Sequence, residues 1–274
     1  MILNIVLILL SIGGSIGISL PLSINYSYWF LLLNIALAPI LYFLLFALYL
    51  IFLIIWGAFF NKKKEGKVSK FYYHILRQVD WVVCLIARAK IRFVGKEKLP
   101  KKPYLLITNH ISNFDQMIII KAIGNQKVIC VTKPENLNFP IAGPFIHHSG
   151  FIPINREDPR EGLKAIKKAS EVIKKNQGLV CISPEGTRNK TNELLLPFHA
   201  GSFKIAYYAQ SDIAIGVLHN TKKIKSNFPW KRTNVEFKIL DVLKYEDFKD
   251  KTTQDIANYA YNLIYQDLKS ELEN

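Results

Sequence analysis

The chain has 274 residues, with 36 Lys and Arg against 21 Asp and Glu, a formal net charge of +15. None of those charges lies in Met1–Phe60, so an uncharged apolar segment precedes a basic stretch of ordinary charge density. This pattern excludes an intrinsically disordered chain, and three widely spaced cysteines in apolar runs, Cys84, Cys130 and Cys181, exclude a disulfide scaffold and read as buried thiols.

Met1–Leu20 is long and apolar enough to cross a bilayer as a helix. Pro21–Ser27 reads as a short polar break, and Tyr28–Phe60 as a second apolar run with Pro39 as its candidate kink. Tyr26, Tyr28 and Trp29 at one end and Trp56 at the other suit an interfacial aromatic belt. Gly13, Gly14 and Gly17 read as a close-packing motif between paired helices. Lys62, Lys63, Lys64, Lys67 and Lys70 crowd the exit of the second run, so the positive-inside rule puts the remainder of the chain on the cytoplasmic side of a cell membrane. The expected organisation is an N-terminal membrane anchor over residues 1–61 and one cytoplasmic domain over 62–274.

Within that domain, Ser69–Lys90 reads as an amphipathic helix and Tyr104–Thr108 as a short apolar strand. Gln116–Ile123 is helical, and Val128–Thr132 and Phe151–Ile154 are strands. Asp158, Pro159 and Glu161 carry the signature of a capped helix start, with Leu163, Ile166, Ala169 and Ile173 as its apolar face. Leu179–Ser183 is a strand, Gly201–Gln210 a short helix, and Ile213–Leu218 a strand. Val235–Val242 alternates as an edge strand does, and Asp255–Leu272 is a final amphipathic helix. Strands alternating with helices predict an α/β fold, a largely parallel sheet flanked by helices, preceded by the N-terminal pair of membrane helices.

The chemistry collects at predicted strand ends, where α/β folds place their sites. Asn109-His110-Ile-Ser-Asn-Phe-Asp115 follows the Tyr104–Thr108 strand. His110 suits a base near neutral pH, and Asp115 can orient its ring and stabilise the imidazolium. Five residues of unbroken helix would hold the two about 140° apart, so the pair needs a turn between them. Arg156 follows the Phe151–Ile154 strand, Ser183-Pro-Glu-Gly-Thr-Arg188 follows the next, and Lys133 ends the Val128–Thr132 strand. Arginine beside Gly186 and Thr187 offers a phosphate bidentate donors, backbone N–H groups and a hydroxyl. No P-loop and no nucleic-acid recognition module is present, and His147-His148 lacks a third ligand at metal spacing.

These residues resemble the glycerolipid acyltransferase family, specifically its 1-acyl-sn-glycerol-3-phosphate acyltransferases, over roughly residues 85–220. Asn109-His110-(x4)-Asp115, Gly150–Arg156, Pro184–Arg188 and Pro197–Lys204 match its blocks in order. Ser183 replaces a usual hydrophobic residue, and Gly216 stands where the fourth block carries proline. The resemblance implies His110 as general base with Asp115 as its partner, and Arg156, Glu185, Gly186, Thr187 and Arg188 as acceptor-binding residues, to which the strand-end position of Lys133 adds a further candidate cation. It implies transfer of an acyl group from acyl-CoA or acyl-carrier protein to lysophosphatidate at a membrane, forming phosphatidic acid, with no cofactor, no metal and no nucleic acid. Glycerol-3-phosphate or a lysophospholipid as acceptor, and a non-catalytic lipid-binding protein, are the alternatives.

Overall fold

The computed structural model describes residues 2–58, 69–139, 142–155 and 158–273. The chain divides into two compact units, Met1–Glu65 and Gly66–Asn274. Lys62, Lys63, Lys64, Lys67 and Arg156 lie outside the described residues, as does the side chain of Trp56.

In the first unit, helix α1 (Ile2–Asn25) and helix α2 (Leu33–Ala58) are joined through a 3-10 turn at Tyr28–Leu32. Two stretches, Ile5–Asn25 and Tyr28–Ile55, are long and apolar enough to cross a membrane. The polar break is shorter than the sequence predicts, because α1 runs through Pro21 to Asn25. Near its end Ser23 Oγ donates to Leu20 O and Asn25 Nδ2 to Pro21 O, both at 2.8 Å. Serines, not the glycine pair, carry the packing. Ser11, Ser15, Ser19 and Ser23 recur every fourth residue and are buried. A Cβ at Gly13 or Gly17 would meet nothing within 4 Å, and only Gly14 faces α2, at Leu41.

In the second unit, helix α3 (Lys70–Ile86) leads into strand β1 (Ala89–Val94). The predicted helix extends to Lys90, but Arg88 adopts φ 50° and turns the chain into the strand. Then come β2 (Leu105–Ile107), α4 (Asp115–Ile123), β3 (Val128–Thr132), α5 (Ala142–His148) and β4 (Ile152–Pro153). His147 and His148 end the short helix α5. Helix α6 (Pro159–Lys174) starts where predicted, with Asp158 Oδ1 accepting from the N–H of Arg160 at 2.8 Å and of Glu161 at 3.3 Å. The Glu161 carboxylate pairs with Lys164 at 2.8 Å and does not close a capping box. The rest is β5 (Leu179–Ile182), α7 (Lys204–Ala209), β6 (Ile213–His219), α8 (Lys223–Asn227), β7 (Thr233–Leu243), α9 (Tyr245–Phe248) and α10 (Thr253–Glu273).

The seven strands form one sheet in the order β1-β7-β6-β2-β5-β3-β4. From β6 to β4 the strands are parallel, while β7 runs antiparallel to β6 and carries β1 parallel to itself. Strand β7 is therefore not at the edge, which belongs to β1. Its alternation has another cause: Val235, Phe237 and Ile239 enter the core, while Glu236 and Lys238 on its other face pair with Arg92 and with Asp267 of α10. Gly216 sits at a register shift between β6 and β7, and a Cβ there would come within 2.9 Å of the Phe237 ring.

Apolar layers cover both faces of the sheet. Leu105, Ile107, Val180 and Ile182 pack with α6, α7 and α10, while Leu106, Cys130 and Cys181 pack with α3 and α4. All three cysteines are buried free thiols. Burial on both faces is the condition for a parallel sheet, and it leaves the carboxyl ends of β2, β3, β5 and β6 together on one edge.

Candidate active site

Strand β2 hands the chain to this edge through Asn109. The buried Asn109 side chain donates to Leu218 O at 3.0 Å and accepts from Leu218 N–H at 2.8 Å, which ties the end of β2 to β6. The backbone of the next residue is held from the loop after β5. His110 N–H donates to Glu185 Oε1 at 2.5 Å, and Asn189 N–H donates to His110 O at 2.7 Å.

Asp115 opens α4, and Ile111–Phe114 make the turn that the spacing requires. Its Oδ2 accepts from His110 Nδ1 and from the N–H groups of Ile111 and Ser112, each at 2.8 Å. Its Oδ1 accepts from Thr221 Oγ1 at 2.5 Å. Four donors fix the carboxylate, and it in turn fixes the imidazole. With Asp115 accepting at Nδ1, that nitrogen carries the ring proton of neutral His110, and Nε2 is left to accept another.

His110 and Asp115 line a cleft of about 210 Å³ together with Lys133, Gly186, Thr187 and Arg188. Gly186 turns the loop after β5 at φ 75°, a conformation that glycine adopts without strain. Arg188 Nη1 donates to Asn113 Oδ1, tying this loop to the His110–Asp115 turn. Glu185 stands elsewhere. It is buried outside the lining of this cleft, and its second oxygen accepts from Leu196 N–H at 3.1 Å. Burial pushes its carboxyl up to about 7, against the opposing pull of its two backbone donors. Both of its oxygens are thus taken by backbone N–H groups, those of His110 and Leu196.

Two residues of this edge escape the sequence reading. Lys190 also lines the cleft, and its place two residues past Arg188 in the same loop is a signal that could have found it. Thr221 has no such signal, since it reaches Asp115 across 106 residues. Beside the cleft is a second cavity of about 290 Å³, which shares Ile182, Ser183 and Gly186 with it. Its wall includes Ile154, Leu163 and Ile166, so Leu163 is exposed at a cavity and not packed in the core.

Residues 90–217 match the family model described as Acyltransferase. The 1-acyl-sn-glycerol-3-phosphate acyltransferase of Saccharomyces cerevisiae is 31% identical over 160 residues, 58% of this chain and 50% of that protein. The enzyme of the same name from Helicobacter pylori is 32% identical over 54% of this chain and 62% of its own. A probable one from Mycoplasma genitalium is 26% identical over 66% and 72%. The chain thus spans half the length of the yeast relative. The crystal structure of the 1-acyl-sn-glycerophosphate acyltransferase PlsC from Thermotoga maritima superposes with a TM-score of 0.61 at 17% identity, covering 84% of this chain and 96% of the other. That likeness establishes the α/β fold.

Proposed function

From the match of residues 90–217 to the Acyltransferase model and the likeness to the named acyltransferases, we propose that the chain belongs to that family and transfers an acyl group from an acyl thioester to the sn-2 hydroxyl of 1-acyl-sn-glycerol-3-phosphate, forming phosphatidic acid. One observation carries the reading: a His110–Asp115 pair 2.8 Å apart, opening on a cleft with Lys133, Arg188 and Lys190 in its wall. The cations hold the acceptor's phosphate, with Arg156 as a further donor, and so bring the hydroxyl to His110. His110 Nε2 takes the hydroxyl proton as the oxygen attacks the thioester carbonyl. The new C–O bond forms, the C–S bond breaks, and the imidazolium returns its proton to the departing thiolate. The acceptor is itself the nucleophile, so no covalent enzyme intermediate arises. The thiol is coenzyme A or the arm of an acyl-carrier protein, and this route draws on no metal or cofactor. The second cavity, with its apolar wall, supports the same reading by offering room for hydrocarbon next to the reacting centre.

The test is thioester release by the purified chain with lysophosphatidate, glycerol-3-phosphate and a lysophospholipid offered in turn, with each carrier. Release that depends on lysophosphatidate is expected. Preference for another acceptor would reassign the substrate, and no release with any acceptor would leave a lipid-binding protein.

The proposal extends to the membrane. Helices α1 and α2 both span the bilayer, the turn between them faces outward, and the second unit lies on the cytoplasmic side, where the soluble thioester is available. Single cysteines at Asn25, Ser27 and Lys168, none of which is buried, in a background without Cys84, Cys130 and Cys181, test this. An impermeant thiol reagent on intact cells should reach positions 25 and 27 and reach 168 only once the membrane is opened. Silence at 25 and 27 until the membrane is opened would replace the two-span arrangement with a hairpin buried in one leaflet.

A further inference from the structure

The loop after β6 carries a feature that acyl transfer does not use. Between Ile213 and Val235 there is no acidic residue, and Lys222, Lys223, Lys225, Lys231 and Arg232 are all exposed. At the tip are two exposed aromatic rings, Phe228 (48%) and Trp230 (83%). The tip is built rather than slack. Ile224 is buried in the core, Phe228 N–H donates to Ile224 O at 3.0 Å, and Lys231 N–H to Asn227 O at 2.7 Å.

The patch continues onto α3. Arg88 Nη1 donates to Trp230 O at 2.7 Å, and Thr233 N–H to Arg88 O at 3.2 Å. Just before Arg88, the outer side of α3 exposes Trp81, Leu85 and Ile86. Rings, aliphatic chains and a surplus of cations therefore share one surface, at the place where β1 and β7 begin. Since β7 starts opposite the end of β6, this is the sheet edge that carries His110.

We infer that this patch seats in the surface of an anionic membrane leaflet, with Phe228 and Trp230 in the interface and Lys231, Arg232 and Arg88 against the lipid phosphates. Exposed large apolar side chains rimmed by polar groups mark an interaction surface. Tryptophan favours the depth of the headgroups, and cations are drawn to acidic lipids. Leu85 and Ile86 separate a lipid from a nucleic acid, because aliphatic chains mix with acyl chains and give a base no stacking partner. Docking there turns the catalytic edge toward the leaflet. The inference stands on this surface alone and holds whichever acceptor the enzyme takes.

The test uses the full chain with Trp29, Trp56 and Trp81 changed to Phe, so that Trp230 is the single tryptophan. It is reconstituted in vesicles of phosphatidylglycerol with brominated phosphatidylcholine. Trp230 fluorescence should be quenched by bromines near the headgroup end of the acyl chains. The quenching should weaken when phosphatidylglycerol is left out, and Lys231→Ala or Arg232→Ala should each lower the docked-to-free ratio by about fivefold. Absence of quenching in the anionic vesicles overturns the inference, as does equal quenching in neutral ones. Emission that responds to protein concentration and not to lipid also overturns it, in favour of contact between copies. Acyl transfer by the same preparation is read separately: quenching without transfer supports the docking and sinks only the proposed reaction.

Discussion

The polar groups of the α1–α2 pair and those of the candidate active site differ in how far along the chain their partners lie. In α1 the hydroxyls of Ser11, Ser15 and Ser23 return to carbonyls three residues back, at 2.8, 2.9 and 2.8 Å. Among the described residues, the polar link from α1 to α2 is the Ser19–Asn34 pair. At the candidate active site, local bonds from His110, Ile111 and Ser112 to Asp115 are joined by partners far apart in the chain: Asn109 and Leu218 by 109 residues, His110 and Glu185 by 75, Asp115 and Thr221 by 106. A helix pair that settles its polar groups locally tolerates substitution one residue at a time. A site assembled across the sheet fails as a unit.

The largest effect should come from the edge. His110→Ala is expected to lower turnover by about 10²–10⁴ with no loss of fold, measured as thioester release by purified protein. Near-normal turnover would remove the base from its assigned role. Arg188→Ala should come next, through the acceptor. Losing a charge-assisted bond of about 1.5–3 kcal/mol raises the KM for lysophosphatidate by roughly 10–100-fold, with a smaller change for the thioester. Steady-state kinetics with each substrate varied decide it, and a selective loss of thioester affinity would move Arg188 to the donor side.

Thr221→Val keeps the shape and leaves one oxygen of a buried carboxylate without its donor. It should cost about 1–3 kcal/mol of stability and lower turnover along with it, and Thr221→Ser should restore both. In a double-mutant cycle with Asp115→Asn the two effects should fall short of additive; simple additivity would cut Thr221 out of the unit. The smallest effect belongs to the helix pair. Asn34→Leu should weaken α1–α2 association by about 0.6 kcal/mol and leave turnover unchanged.

Asp80 on α3 follows neither pattern, since among the described residues its buried Oδ2 has no hydrogen-bond partner. Burial pushes its carboxyl from 3.8 up to about 8. Between those values the unfolded chain binds fewer protons than the folded one, so stability falls as pH rises through the window. Asp80→Asn should flatten that slope, read from denaturation midpoints across the same pH range. An unchanged slope would show that other groups set the pH dependence.

Much of this was legible in the chain before folding, wherever one element decides it alone. Sixty uncharged residues specify apolar helices, and Asp158 followed by Pro159 specifies where α6 begins. A histidine and an aspartate five apart, straddling a turn after a strand, are placed to meet. Lys133 and Arg188 follow apolar strands, and parallel strands bring their carboxyl ends together.

What the sequence did not carry is distance between elements. The start of strand β1 reads as the tail of α3 because apolar spacing continues across Arg88, and only the backbone at that residue ends the helix. β7 alternates like an edge strand, yet β1 covers it, because ion pairs can line a covered face as water lines an open one. Serine outcompetes glycine at the α1–α2 contact since the rotation of a helix about its axis is set by its partner. Glu185 sits in the loop that faces the cleft, but its side chain bonds the backbone of His110, and Thr221 arrives at Asp115 from the loop after the neighbouring strand β6. Periodicity and caps act within about one turn of a helix or one strand and so appear in the sequence. A hydrogen bond between two loops depends on where the sheet puts both, and the tertiary structure alone decides that.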